Sequence, residues 1–72
     1  MTLLLLAGSG EARQLAEALD QARLPTIASL AGVTRSPKPL PLPTRSGGFG
    51  GDAGFRDYLL GKDIKAVLDA TH

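Results

Sequence analysis

The sequence has no cysteine and a single histidine among its 72 residues. That excludes disulfide staples and any cysteine-based zinc centre, the usual aids to so short a chain. It also lacks an excess of either charge: eight Lys and Arg stand against seven Asp and Glu, for a net charge of +1. Such a balance is unlike a phosphate-tracking nucleic-acid binder or a polybasic membrane anchor, so neither nucleic acid nor a membrane surface is expected as a partner. Long apolar runs are missing too. The longest, Leu3 to Ala7, falls far short of the roughly 18–20 residues of a spanning helix, and no basic segment precedes it as in a secretory signal. The chain reads as soluble, and the lack of cysteine is compatible with the expected cytoplasmic location. One small domain is the most this length can form, and folding at this size hides only about 60% of the unfolded surface.

What is present is an ordered alternation of patterns. Leu3 to Ala7 is a short continuous apolar run closed by Gly8-Ser9-Gly10, which predicts a strand buried on both faces of a parallel sheet. From there Ala12, Leu15, Ala16, Leu19 and Ala22 recur at helical spacing, with Glu17, Asp20, Gln21 and Arg23 largely elsewhere around the cylinder. This predicts a helix over about residues 10–23, opened by Gly8 or Ser9, favoured by Glu11 at its positive end and stopped before Pro25. Thr26 to Leu30 reads as a second strand. A parallel pair needs a crossover of a dozen or more residues, and the helix supplies it.

Pro37, Pro39, Pro41 and Pro43 forbid a regular helix between Val33 and Thr44 and favour extended backbone. The stretch reads as a stiff strap across the sheet, with Leu40 and Leu42 packing inward; a solvated linker or a ligand for a proline-binding domain is the competing reading. Next comes Gly47-Gly48-Phe49-Gly50-Gly51, a loop of unusual backbone freedom that follows the third strand. A short helix is predicted from an Asp52 cap through Leu60, with Phe55 and Leu59 four apart, Tyr58 beside them and Gly61 as the stop. Ala66 to Leu68 forms a fourth strand leading to Asp69-Ala70-Thr71-His72. Four short strands with two helices leave one sheet face partly bare, so residues 1–72 read as the incomplete first lobe of a longer protein, with self-association as another way to cover that face.

Ligands of open α/β sheets bind outside the carboxyl ends of the strands. Four loops of this chain are expected to meet there: Gly8 to Glu11, Ser29 to Arg35, Gly47 to Gly51 and Asp69 to His72. Gly8-Ser9-Gly10-Glu11-Ala12-Arg13 begins like a dinucleotide fingerprint, with Arg13 in the place of the third glycine. Two glycines there would turn backbone amides and a helix N-terminus toward a pyrophosphate; a plain strand-to-helix turn is the alternative. Enzymes that prefer NAD usually carry an acidic residue at the end of the second strand, whereas Ser29, Thr34 and Arg35 stand here. Those groups fit a 2′-phosphate, so NADPH is favoured over NADH, unless Arg35 is only a solvated charge. A receiver domain fails for want of an acidic pair near the first strand. A P-loop fails because no Gly-Lys-Ser/Thr follows that strand. His72 has no companion ligand for a metal, and a lone terminal His is more often a surface residue than a catalyst.

Taken in order, Ala7-Gly8-Ser9-Gly10-Glu11-Ala12, Ser29-Leu30-Ala31-Gly32, Gly47-Gly48-Phe49-Gly50-Gly51 and Asp69-Ala70-Thr71-His72 resemble the N-terminal part of the precorrin-6A reductases, across nearly the whole chain. The resemblance implies a Rossmann-like α/β fold, a parallel sheet with flanking helices, of which this would be the first of two lobes. It also implies NADPH-dependent reduction of a ring double bond of precorrin-6A, or of its cobalt form, in cobalamin biosynthesis. By the same resemblance Gly8, Ser9, Gly10 and Glu11 belong to the first cofactor loop, and Ser29 and Gly32 to Arg35 lie near the adenosine-side phosphate. Gly47, Gly48 and Phe49 would line the cleft, and Thr71 and His72 would approach the nicotinamide or the macrocycle. Two positions depart from the family pattern: Ala7 replaces a glycine, and Val33 stands where many members have Arg, with Arg35 as the substitute. His72 is the candidate proton donor, with solvent as the alternative. Little or no turnover is expected from the 72 residues alone. Two further readings stay open at this point: a non-catalytic nucleotide-binding module, and a structural fragment whose glycines serve only turns.

Overall fold

The computed structural model describes residues 1–8, 10–30 and 40–71. Along them run β1 (Thr2–Ala7), α1 (Gly10–Gln21), β2 (Thr26–Leu30), β3 (Thr44–Ser46), α2 (Gly51–Gly61) and β4 (Ile64–Ala70). The strands form one sheet in the order β3-β2-β1-β4, and every pairing is parallel. This is the Rossmann-like arrangement expected from the sequence, with β1 central.

β1 is apolar on both faces because it is covered on both. Leu4 and Leu5 are each 0% exposed, and burial of a leucine side chain stabilises by about 1.5–3 kcal/mol. Successive residues of a strand point to opposite faces, so these two leucines serve different layers. Leu5 and Ala7 join Ala12, Ala16 and Leu19 of α1 in one cluster. Alanine at 12 and 16 lets the helix lie close on the sheet. The opposite face carries Ser29 and Arg45, whose guanidinium lies over Tyr58 of α2, so α2 covers that second side. Its cover is thin: α2 contributes no fully buried residue, while Leu60 and Val67 are 75% and 41% exposed.

The expected strap has its described end at residues 40–43. Leu40 and Leu42 pack against the core cluster, and the Ala28 amide donates to the Pro43 carbonyl at 2.9 Å, which extends the β2–β3 ladder. Residues 31–39, including Val33, Pro37 and Pro39, lie outside the described residues.

Both helix ends differ from expectation for identifiable reasons. α1 stops at Gln21, because Arg23 takes a left-handed φ of 59°. The Arg23 amide donates to Asp20 O at 3.0 Å and the Leu24 amide to Leu19 O at 3.1 Å, a Schellman closure made without glycine. α2 is capped by Gly50 at φ 85°, with no side-chain bond, and Asp52 lies in its first turn instead of at the cap. Gly61, the expected stop, remains helical; the chain reverses at Asp63, φ 55°. Asp tolerates this left-handed region better than most side chains. Its carboxylate is also held, by Lys65 Nζ at 3.1 Å and the amino terminus at 3.5 Å. Lys65 is the extra residue of a bulge, since β1 and β4 pair Thr2 with Ile64 and then Leu3 with Ala66.

Gly54 is a second position that only the folded chain explains. A Cβ built there would overlap the Phe49 carbonyl oxygen and stand 2.8 Å from its carbon, so the loop backbone folds directly onto the helix. Gly54→Ala in a free helix would stabilise by about 1 kcal/mol. Here the overlap wins, and the substitution is expected to destabilise by about 1–3 kcal/mol in urea unfolding.

At the amino-terminal edge of the sheet, the Lys65 hydrogen bond and charge, joined by the amino terminus, hold the Asp63 carboxyl below its usual pKa. Folding therefore favours the charged form. The stabilisation is present above the ordinary carboxylate value of about 3.9 and is lost as pH falls through the lower folded value. The urea midpoint of Asp63→Asn, a residue that also accepts a left-handed backbone, is expected to fall less between pH 5 and pH 2 than that of the unsubstituted chain.

Candidate functional site

Because all strands are parallel, their carboxyl ends share one edge, where β1 is followed by Gly8, β2 by residue 31, β3 by Gly47 and β4 by Thr71. The chain runs outward from β1 to β2 and β3, then returns through α2 to place β4 on the other side of β1. The order thus reverses between β1 and β4, and a crevice at such a reversal is where open α/β sheets bind ligands.

Gly8 and Thr71 meet at that crevice. A Cβ on Gly8 would lie 3.4 Å from the Thr71 Cα and 3.7 Å from its carbonyl oxygen, so the missing side chain leaves a shallow cradle over the backbone. Thr71 is itself held, because its amide and its Oγ1 donate to Asp69 Oδ1 at 3.1 and 2.7 Å. The Asp-x-Thr spacing was the available signal for this turn, in which a carboxylate two residues back accepts both donors. α1 starts beside the crevice at Gly10, with the exposed Glu11 in its first turn.

The β2–β3 end of the same edge is built differently. Ser29 is only 4% exposed, and its Oγ accepts from Arg45 Nη1 at 2.8 Å. The same guanidinium donates to the carbonyls of Gly47 at 3.1 Å and Gly48 at 2.9 Å. Its carbon lies 4.0 Å from the centre of the Phe49 ring, within cation–π range. Phe49 in turn meets Phe55 and Tyr58 edge-on, at centroid distances of 4.9 and 5.2 Å. The Gly47 amide donates to Leu30 O at 2.8 Å, joining the ends of β2 and β3. Gly47, Gly50 and Gly51 all have φ between 84° and 97°, a region that side chains with a Cβ avoid.

The structure therefore brings Gly8 to Thr71, and Ser29 to Gly47, Gly48 and Phe49, along one edge. Arg45 is the residue that sequence reasoning missed; its signal was a lone cation two positions ahead of the glycines. Ser9, Gly32, Thr34, Arg35 and His72 lie outside the described residues. A cleft of about 400 Å³ lined by Thr2, Asp20, Arg23, Thr26 and Pro41 sits at the opposite edge, with none of the expected site residues in it. Among the described residues, no group of three or more His, Cys, Asp or Glu could hold a metal ion. No helix there is long and apolar enough to cross a membrane.

With this geometry in place, comparison with known proteins is specific. Residues 2–72 match the family model described as "Precorrin-6x reductase CbiJ/CobK". The chain is 49% identical over 70 residues to a precorrin-6A reductase of Rhodobacter capsulatus, covering 97% of this chain and 28% of that protein. It is 45% identical over 71 residues to a Sinorhizobium precorrin-6A reductase, covering 97% and 27%. A solved structure of CobK precorrin-6A reductase superposes with a TM-score of 0.92 at 47% identity, over 100% of this chain and 29% of that one. The chain thus spans a little over a quarter of the length of the relatives it matches.

Proposed function

This chain belongs to the precorrin-6x reductase family, and on that premise we propose that it forms the nucleotide-binding lobe of an enzyme that reduces a ring double bond of precorrin-6A, or of its cobalt form, at the expense of NADPH in cobalamin biosynthesis. The observation that carries the reading is the Gly8–Thr71 cradle at the β1–β4 reversal, in a chain matched to the family from residue 2 to residue 72.

The residues present fit a dinucleotide. Backbone without a side chain at Gly8 allows close approach by a pyrophosphate, and the amides at the start of α1 offer donors and a positive dipole end. α2 opens on the same edge, and its cap makes no side-chain hydrogen bond. β2 ends in Ser29 and Leu30, neither of which would repel a 2′-phosphate, and Thr34 and Arg35 follow as its further partners; NADPH is favoured over NADH on that ground. When bound, the nicotinamide supplies the hydride, and the chain's work is to hold it in one orientation and keep water from it. Gly10 and Glu11 frame the first cofactor loop, with Ser9 between its glycines. Gly47, Gly48 and Phe49 form the cleft wall, and Gly32 belongs to the same cofactor site in this reading. Thr71, fixed by Asp69, stands at the reacting end with His72 next in sequence as the proton donor or, failing it, solvent. Precorrin-6A is the tetrapyrrole partner in this reading, and the cytoplasm is the compartment.

The test is an NMR titration of the labelled chain with NADPH and, separately, NADH at moderate salt. Saturable shifts are expected at Gly8, Gly10, Glu11 and the amides around Leu30, larger with NADPH. Gly8→Val, which fills the cradle against Thr71, is expected to remove them while the β1–β2 amides keep their folded positions. A folded chain whose edge amides answer neither nucleotide would overturn the reading.

A further inference from the structure

Four glycines surround Phe49 in the loop after β3, and a segment so free loses much conformational entropy when it takes one shape. What holds this loop is mainly one side chain. Arg45 carries five N–H donors in a planar fork. Three of them are spent on its own chain, on the Gly47 and Gly48 carbonyls and on the Ser29 hydroxyl. The face of the same group covers Phe49, whose ring edge-stacks on Phe55 and Tyr58. The guanidinium thus ties β2, β3, the glycine loop and α2 together from one point. Its three hydrogen-bond partners are neutral, a hydroxyl and two carbonyls, so the contacts orient the charge without cancelling it.

We propose that Arg45 is a positioning residue for the nucleotide: by bridging Ser29 to the Gly47 and Gly48 carbonyls and covering Phe49, it holds the loop after β3 in the shape that receives the cofactor. The inference deepens the reading above and rests on it. A group that acts through the loop shapes the site for any nicotinamide dinucleotide. A group that grips the 2′-phosphate would act on NADPH alone, so the two roles separate by ligand. Lysine at this position keeps the charge but is a point donor, unable to span three acceptors in one plane.

The experiment measures NADPH and NADH dissociation constants by NMR for the unsubstituted chain, Arg45→Ala, Arg45→Lys and Ser29→Ala, with amide hydrogen exchange across residues 47–50. Arg45→Ala is expected to weaken both nucleotides by at least about tenfold and by similar factors, as for lost hydrogen bonds to a charged group. Exchange in the loop is expected to quicken, and added methylguanidinium to restore part of both effects. Arg45→Lys should be intermediate, and Ser29→Ala should act in the same direction more weakly. Loss confined to NADPH would overturn the proposal in favour of a direct phosphate contact. Unchanged binding in Arg45→Ala would overturn it outright. Should Arg45→Ala not fold, Arg45→Lys decides, since full binding by lysine overturns the fork. If the unsubstituted chain binds neither nucleotide, the nucleotide reading fails before any substitution is made, and the proposal for Arg45 falls with it.

Discussion

The constraint on which everything else hangs is that β1 must be hidden from water on both sides. Two adjacent leucines, Leu4 and Leu5, are fully buried and face opposite layers. A helix on one face alone would leave one of them in solvent, at a cost comparable to a sizeable part of a small domain's stability. The strand therefore sits between β2 and β4, with α1 on one side and α2 on the other. The location of the candidate site follows from that. Once β1 is central and the neighbours are parallel, Gly8 must emerge at the edge where β4 delivers Thr71.

Much of this was legible in the residues, because β1, α1 and β2 are encoded by local patterns with strong periods. One apolar run, one stripe at helical spacing and one β-branched segment mark three elements within about a residue or two at each end. The strap leucines were legible on the same logic, since Leu40 and Leu42 are the apolar members of a proline-rich stretch. β4 proved longer than its apolar centre, because Asp69 pairs with Leu6 in the ladder and Lys65 is accommodated as the bulge residue, both with side chains outside the core. The end of α2 was misread, since glycine at 61 is the ordinary helix stop; the left-handed residue is instead Asp63, whose carboxylate meets Lys65 two residues on and the amino terminus from the other end of the chain. Gly54 was silent for a similar reason. Nothing in its neighbours announces that the Phe49 carbonyl will rest on it.

In the site, residue types were easier to read than their partners. The placement of Gly8, Gly10 and Thr71 at one edge was legible from the order of strand, turn and helix, because in a parallel sheet that order fixes the edge at which loops emerge. Arg45 was not, because its meaning lies in Ser29, 16 positions away, and in a ring that stacks only once α2 has docked. The two ends of the edge are consequently supported by different physics. Close backbone approach shapes the β1–β4 side, while a cation with neutral acceptors shapes the β2–β3 side. The ionic cluster of Met1, Asp63 and Lys65 lies at the opposite edge of the sheet, so acid that disturbs the bulge acts far from both.

The pairing of β1 with β4 also determines how the chain reaches this structure. Leu5 lies opposite Ala28 and Leu68, and the second of these is near the far end of the sequence. Of the four strands β1 is made first, finds β2 soon after through α1, and must then wait until β4 is made before its other edge is closed. Contacts so distant in sequence form slowly, and an unpaired apolar strand is prone to aggregation in the interval. The proline-rich stretch, the short β3, the glycine loop and α2 are all made before that closure, and none of them carries an apolar run comparable to that of β1. The leucine-rich segment that anchors the finished fold is, for most of its assembly, the part most in need of shelter.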